Sequence, residues 1–162
     1  MERRIIPATE NDREQVLGLY RSQIGREFCP WSDHYPGDQE ITFDLSRDSL
    51  FVMKDENGRV ISAISIDLDQ NVEELPCWSK ELAPGGELSR LAVSSDYQNQ
   101  GIAREMILYA MQVLRDRGYR SVHFLVNRLN TKAVRSYDHL NFCHVGSCEL
   151  YDQPFWCYEK EL

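Results

Sequence analysis

The sequence predicts one α/β domain over residues 1–162, in which a mixed central sheet of about six or seven strands carries helices on both faces. Strand and helix patterns alternate between residues 87 and 126, which favours a parallel crossover. The strands at 49–68 and the last two strands follow each other as hairpins, which favours antiparallel pairing. With 42% hydrophobic residues, 162 residues are enough to bury one core and too few for a second independent domain.

The first elements are a short strand at residues 3–8 and a helix that begins near Thr9. Thr9 is followed three residues later by Asp12, a spacing typical of a helix N-terminus. Apolar residues then recur with helical spacing until Gly25 ends the pattern. A shorter second helix is expected over residues 38–47.

A β-hairpin is predicted around the Asn57-Gly58 pair, between strands at 49–54 and 59–68. In the second strand apolar and polar residues alternate, which predicts one buried face and one more polar face. The following residues, 69–86, contain several Pro and Gly residues and are expected to form a long loop. Loops of that length in compact domains are usually functional or mobile.

Four strands and two helices are predicted in the second half of the chain, and the first strand covers residues 87–93. The helix at 101–117 has one apolar stripe and ends at Gly118. The other elements are expected at 121–126 (strand), 131–140 (helix), 142–148 (strand) and 155–161 (strand).

Charge and cysteine content exclude several classes of function. A net charge of −8 argues against nucleic acid and against an anionic membrane surface, since both select basic patches. No apolar run approaches the length of a membrane span, and a cytoplasmic protein is expected. The five cysteines are an odd number without a C-x-x-C pair, so we interpret them as reduced thiols.

No metal site is expected from the sequence. His139, Cys143, His144 and Cys148 are residue types that bind metals, but they fall across a helix end and a strand with alternating faces. They also lack the paired spacing of structural zinc sites.

The segment around Gly101 predicts an anion site. A helix N-terminus leaves its first N–H groups without helical partners and carries partial positive charge, so a diphosphate can bind there. Gly101 lacks the Cβ that would block close approach, and Ala103 keeps the next side chain small. Glycine at such a junction also has a purely conformational explanation, so this signal alone leaves both interpretations open.

Two motifs in this region resemble the GNAT N-acetyltransferase superfamily. After a strand that ends in apolar-Ala-Val, Gln98-x-x-Gly101-x-Ala103 is similar to the family's Q/R-x-x-G-x-G/A motif for acetyl-coenzyme A. Downstream, Asn130-x-x-Ala133-x-x-x-Tyr137 with Leu140-Asn141-Phe142 resembles its N-x-x-A-x-x-x-Y…GF segment. The resemblance implies the GNAT fold, a transferase activity with acetyl-CoA as co-substrate, and in many members a homodimer. Asn141 replaces the usual Gly, and Asn is the next best residue at a left-handed helix cap.

The resemblance also implies which residues contact acetyl-CoA. The pantetheine arm pairs with the strand backbone, and the diphosphate rests on the loop and the helix start. The residues at these positions are Leu91, Ala92, Val93, Gln98, Asn99, Gln100, Gly101, Ile102, Ala103 and Asn130. Arg104 and Lys132 are basic residues placed where they can contact the phosphates, and a nonspecific surface role is the alternative for both.

Two residues are candidates for proton transfer. Glu87 precedes Gly101 by fourteen positions, which resembles the base glutamate of histone acetyltransferases in this superfamily, and a Glu with a raised pKa suits the role of base. Tyr137 matches the tyrosine that protonates the departing thiolate. The alternatives are a solvated strand end or a partner of Arg90 for Glu87, and a core aromatic for Tyr137.

Aromatic residues after the first helix are candidates for binding the acceptor amine, because the family commonly builds its acceptor site there. These are Phe28, Trp31 and Tyr35, and Trp78 in the long loop is a further candidate. A satellite hydrophobic cluster is the alternative. The acceptor is expected to be a small-molecule or peptide amine.

Two rival functions remain open at this point. Glu87-x-x-Arg90 is similar to the Glu-x-x-Arg of acyl-homoserine-lactone synthases, although the chain is short for that family. A non-catalytic acyl-CoA-binding module on the same scaffold is the second alternative. Fold-level analogy does not identify the acceptor.

Overall fold

Seven strands and five helices alternate along the part of the chain that a computed structural model describes, residues 3–26 and 29–162. In chain order they are β1 (Arg4–Pro7), α1 (Arg13–Gln23), α2 (Asp38–Ser46), β2 (Leu50–Lys54), β3 (Val60–Asp67), α3 (Gln70–Glu73), β4 (Gly85–Val93), α4 (Ile102–Asp116), β5 (Ser121–Asn127), α5 (Thr131–His139), β6 (Cys143–Leu150) and β7 (Gln153–Glu161).

The strands form a mixed sheet in the order β1-β2-β3-β4-β5-β7-β6. β2 pairs antiparallel with β1 and β3, and β7 pairs antiparallel with β5 and β6. β4 pairs in parallel with β5, from Gly85 opposite Ser121 to Glu87 opposite His123. The predicted mixture of parallel and antiparallel neighbours is confirmed.

Two compact units divide the chain. Unit 1 comprises Met1–Ile66 and Arg90–Ala110, and unit 2 comprises Asp67–Ser89 and Met111–Leu162. The strand β4 and the helix α4 each contribute residues to both units, so the two units are not successive segments of the sequence.

The core of unit 1 forms between α1, α2 and the hairpin strands. Its fully buried members include Val16, Ile41 and Val52. The predicted start of the first helix is confirmed, since the backbone N–H of Thr9 donates to Oδ2 of Asp12 at 2.9 Å. A short 3-10 turn, Glu10–Asp12, precedes α1.

The prediction of one polar face for β3 is wrong. The strand is buried on both faces from Val60 to Ile66, and Ser62 and Ser65 have no exposed surface. The hydroxyl of Ser62 donates to the carbonyl of Ala92 at 2.7 Å, and that of Ser65 donates to Asp44 at 2.7 Å. The two serines lie on opposite faces of the strand, and these hydrogen bonds satisfy their buried hydroxyls.

The prediction of a continuous loop over residues 69–86 is also wrong. This segment contains the helix α3 and a 3-10 turn at Lys80–Leu82, and β4 begins at Gly85. Gly85 and Gly86 lie in this strand. A Cβ on either would lie within 3.0 Å of a side chain on a neighbouring element, so only glycine fits at both positions. Close packing, rather than a turn, explains the glycine pair.

The end of α5 follows the prediction made from Asn141. This residue has a φ of 64°, in the left-handed region. The N–H of Phe142 donates to the carbonyl of Tyr137 at 3.2 Å, which closes the helix. None of the helices in the described part of the chain is long and apolar enough to cross a membrane.

Candidate functional site

The loop before α4 has the backbone geometry of an anion site. Asn99 and Gly101 have φ values of 61° and 76°, and a Cβ placed on Gly101 would meet no atom within 4 Å. The N–H of Glu105 donates to the carbonyl of Gly101 at 3.1 Å. The N–H groups of residues 102–104 therefore precede the helix's own hydrogen bonds, at the positive end of its dipole. This arrangement suits a phosphate.

Gln98 ties this loop to the end of β4. Its Nε2 donates to the carbonyl of Val93 at 2.9 Å and to that of Ser94 at 3.2 Å. The same Val93 carbonyl accepts from Nε2 of Gln23 at 3.1 Å and from Nη1 of Arg26 at 3.3 Å. Three side chains thus converge on one carbonyl, so a ligand that uses this oxygen has to displace at least one of them.

Arginines near this loop add positive charge that sequence reasoning missed. Arg3 donates to the side chain of Gln100, and its guanidinium lies 5.3 Å from the ring centre of Tyr97. Arg26 contacts the end of β4, whereas Arg104, which the sequence identified, is exposed on the first turn of α4. No local pattern shows which distant arginine the fold brings to a loop.

Strand β4 contains a buried arginine in an unusual conformation. Arg90 is 7% exposed and has a φ of 49°, which is rare for a residue with a side chain and marks an irregularity in the strand. Its Nη2 lies 2.8 Å from Oδ1 of Asp44, and its Nη1 lies 3.1 Å from the hydroxyl of Tyr35. These contacts hold the irregular segment of β4 against α2.

Asp44 is the centre of this network. It has no exposed surface and accepts hydrogen bonds from Arg90, from Nη2 of Arg47 at 2.6 Å and from the hydroxyl of Ser65 at 2.7 Å. The nearby phenol of Tyr20 is buried, and burial raises the pKa of Tyr20. Asp44 falls on the apolar face of a short helix, which is a sequence signal for a buried carboxylate. The sequence does not identify the partners of that carboxylate.

The aromatic candidates of unit 1 occupy different environments. Trp31 packs edge-on against Tyr20, with ring centres 5.5 Å apart, and borders the unit 1 core. Tyr35 is 45% exposed while its hydroxyl contacts Arg90. Phe28 lies outside the described residues.

Tyr137 belongs to an aromatic cluster in unit 2. Its ring centre lies 4.3 Å from that of Phe124 and 6.1 Å from that of Phe142. Burial raises the pKa of Tyr137 to about 12, so its phenol stays protonated at neutral pH. A protonated phenol can donate a proton or a hydrogen bond to a developing anion.

Asn130 caps the helix that carries this tyrosine. Its Oδ1 accepts from the N–H of Ala133 at 3.0 Å, so the side chain has a structural role at the start of α5. The side-chain amide keeps its N–H groups for other contacts. Lys132 is exposed on the first turn of α5.

Glu87 lies in a row of buried titratable residues that crosses three strands of unit 2. It is opposite His123, and His123 is opposite Glu159 on the next strand. The three residues are 5%, 2% and 4% exposed. Trp78 covers the row: its ring centre lies 4.5 Å from that of His123, and its Nε1 donates to the carbonyl of Val72 at 2.8 Å. Sequence reasoning found Glu87 and Trp78 but missed the row, since strand register cannot be read from residue types.

Comparisons with known proteins identify a family. The model described as "Acetyltransferase (GNAT) family" matches residues 13–142. N-acetyltransferase 8 of Mus musculus is 31% identical over 100 residues, which are 62% of this chain and 41% of the mouse protein. N-acetyltransferase family 8 member 2 of Rattus norvegicus is 28% identical over 102 residues, 63% of this chain and 42% of the rat protein. The chain spans about two fifths of the length of these curated relatives.

A solved structure shares the fold along the chain. The PaiA N-acetyltransferase of Thermoplasma acidophilum, in complex with coenzyme A, has a TM-score of 0.75 and 16% sequence identity, and the match covers 100% of both chains. At this identity the likeness shows the fold alone. It agrees with the fold that the two sequence motifs predicted.

We expect Asp44→Ala to destabilise the protein severely, because it leaves the buried guanidinium of Arg90 without its carboxylate. Breaking a buried ion pair by removing one partner costs about 3–5 kcal/mol. Denaturant unfolding measures this loss. Asp38→Ala is the matched control: its carboxylate is 64% exposed and pairs with Arg13, so the loss should stay below about 1 kcal/mol. Equal losses in the two variants would show that the Asp44 pair does not stabilise the fold.

Proposed function

The chain belongs to the acetyltransferase (GNAT) family, and from that premise we propose that it transfers an acetyl group from acetyl-CoA to a primary amine. The acceptor is a small-molecule or peptide amine. The observation that carries the proposal is the loop before α4, where Gly101 leaves open space beside the N–H groups of residues 102–104. Acetyl-CoA supplies a thioester that a neutral amine can attack.

The residues of the loop suit an anionic donor. In the proposal, the N–H groups of residues 102–104 bind its diphosphate, and the side chains of Arg104 and Arg3 supply positive charge near the loop. The backbone of Leu91 to Val93 pairs with the pantetheine arm. The family resemblance also assigns Asn130, the cap of α5, to the donor, and Lys132 on α5 is placed where it can contact the phosphates. Because Gln23, Arg26 and Gln98 all donate to the Val93 carbonyl, we expect one of them to move when the donor binds.

Glu87 acts as the general base in this proposal. An ammonium group has no lone pair and cannot attack a carbonyl, so its proton must first leave. Glu87 is 5% exposed and lies on β4, the strand that leads to residues 91–93. Backbone N–H groups near residues 91–94 stabilise the oxyanion that forms during the attack.

Tyr137 acts as the general acid. Its raised pKa, about 12, keeps the phenol protonated over the whole range in which the amine can react. The proton passes from its hydroxyl to the departing sulfur and is replaced from solvent. Packing against Phe124 and Phe142 restricts the ring, which orients the hydroxyl.

The aromatic residues proposed for the acceptor differ in the support they receive. The hydroxyl of Tyr35 contacts Arg90 and the ring of Trp78 packs against His123, so each lies beside a polar side chain, which suits the binding of a polar acceptor. Trp31 packs on Tyr20, and its contact favours a structural role.

All five cysteines are free thiols, which supports a reducing compartment such as the cytoplasm.

Acetyl transfer is tested by following the release of the coenzyme A thiol with a panel of primary amines. We expect release that depends on both acetyl-CoA and at least one amine, and a product heavier by one acetyl group in mass spectrometry. Tertiary amines cannot be acetylated stably and serve as controls. Donor binding without turnover across the panel would favour the non-catalytic module instead.

For Tyr137→Phe we expect kcat to fall by about 10²–10⁴-fold, the usual contribution of a general acid, while the Kd for acetyl-CoA changes little. Burial raises the pKa of Tyr137 to about 12. The ratio of kcat in the unmodified protein to kcat in Tyr137→Phe should therefore stay constant between about pH 7 and 10. Tyr158→Phe removes a hydroxyl from the same aromatic cluster and should keep kcat. A loss shared by both variants would indicate packing instead of proton donation.

For Glu87→Gln we expect a loss of about 10²–10⁴-fold in kcat/KM at neutral pH. The loss should shrink as the pH approaches the amine's own pKa, about 10.4 for a lysine-like amine, because the amine then loses its proton without help. Glu81→Gln, an exposed change in the segment before β4, is the control. A pH profile of Glu87→Gln parallel to that of the unmodified protein would remove Glu87 from the mechanism.

A further inference from the structure

His123 occupies a position that no step described so far uses. It is 2% exposed, lies on β5 directly opposite Glu87, and projects from the same face of the sheet. Buried histidines in strands normally have one hydrogen-bond partner that fixes the ring. In His123, Glu73 contacts one ring nitrogen and strand β4 lies against the other.

The first nitrogen of the ring is held by a carboxylate from α3. Nε2 of His123 lies 3.0 Å from Oε1 of Glu73. An ionised carboxylate only accepts hydrogen bonds, so we infer that Nε2 carries the proton. In the neutral ring the lone pair is then on Nδ1.

The second nitrogen faces β4. A Cβ placed on Gly85 would lie 2.9 Å from Nδ1 of His123, so only a glycine lets the ring approach β4 this closely. Glu87 is two residues further along β4 and projects from the same face as Gly85. Nδ1 of His123 therefore faces β4, the strand that carries the proposed base.

Other polar groups lie on the strands next to His123 and in the segment before β4. Glu159 on β7 is opposite His123, and its carboxylate accepts from the N–H and the hydroxyl of Ser79, at 3.0 Å and 2.7 Å. On β5, two residues before His123, the hydroxyl of Ser121 donates to the carbonyl of Leu82 at 2.8 Å. The ring of Trp78 packs against that of His123, with ring centres 4.5 Å apart. Glu73 thus contacts the ring through its carboxylate, whereas the carboxylate of Glu159 is engaged by Ser79.

We propose that Glu73 and His123 form a proton-accepting pair behind Glu87. This inference rests on the proposed function, in which Glu87 takes the proton of the acceptor amine. The amine N–H bond breaks and a Glu87 O–H bond forms; that proton then moves to Nδ1, which gives an imidazolium and regenerates the Glu87 carboxylate. Glu73 stabilises the imidazolium through the Nε2–H hydrogen bond. After the product leaves, the Nδ1 proton returns through Glu87 to water.

His123 is therefore a positioning residue that acts through Glu87, and Glu73 fixes its tautomer. The arrangement follows the same logic as an acid–histidine pair that serves a nucleophile: the acid orients the ring and stabilises its charged form. It allows a single buried carboxylate to act as base without keeping the proton beside the reacting amine.

The test compares two chemically identical substitutions on either side of the same ring. Glu73→Gln should lower kcat about tenfold or more, less than the 10²–10⁴-fold loss of a direct general base, with little change in KM for the amine. Glu159→Gln removes the carboxylate on the opposite side, which contacts Ser79, and should leave kcat unchanged. Equal kcat values in the two variants would overturn the proposal, as would a KM effect alone.

A spectroscopic readout in the free protein makes the test independent of turnover. Imidazole ¹⁵N shifts, assigned with His123→Gln, report which ring nitrogen is protonated. We expect a neutral ring with the proton on Nε2, and a mixture of tautomers in Glu73→Gln. A ring protonated on both nitrogens at rest would overturn the proposal, because it could accept nothing.

Failure of the Glu87 assignment and failure of the Glu73–His123 pair give different experimental results. If Glu87→Gln retains full activity, the assignment of the base is wrong and the pair has no role in catalysis. If Glu87→Gln is impaired while Glu73→Gln matches the unmodified protein in kcat and in ring shifts, only the pair behind the base is wrong. If His123→Gln does not fold, the Glu73 and Glu159 variants still decide the outcome.

Discussion

A chain with a net charge of −8 can hold a polyanionic thioester only where backbone dipoles and a few cations outweigh the average field of the protein. The loop before α4 is such a place. Positive φ at Asn99 and Gly101 aligns the amides at the helix start, and Gly101 leaves the space beside them open. The proposed chemistry depends on this backbone geometry, because without a bound donor neither Glu87 nor Tyr137 has a reaction to serve.

Buried polar groups, which usually cost stability, are concentrated on the strands that carry the proposed site. In unit 1, Arg90 and Asp44 hold an irregular segment of β4 just before residues 91–93. In unit 2, Glu87 and His123 face each other on adjacent strands. Arg90, Asp44 and His123 each have a hydrogen-bonded partner, so their burial is tolerated. A fold that needed stability alone would fill these positions with apolar side chains.

Local signals predicted much of the fold. The spacing of Thr9 and Asp12, the cap at Asn141 and the glycine at 101 each reflect a short-range conformational need, and all three appear in the structure. Alternation in β3 predicted a strand but not its burial on both faces, since Ser62 and Ser65 are both buried and hydrogen-bonded. The partners of Arg90 and of His123 lie 46 and 50 residues away. Register and long-range contacts of that kind are set by the whole fold, so the roles of the site residues stay predictions.

Calorimetric titration of the protein with acetyl-CoA tests the central claim most directly. The account predicts saturable binding that Gly101→Val abolishes, because a β-branched side chain opposes the positive φ and fills the space at the helix start. Gly58→Val imposes the same backbone strain in the hairpin turn, where φ is 78° and the space is also open, and should leave the affinity unchanged. Absence of binding to the unmodified protein at millimolar donor, or equal affinity in Gly101→Val, would contradict the account.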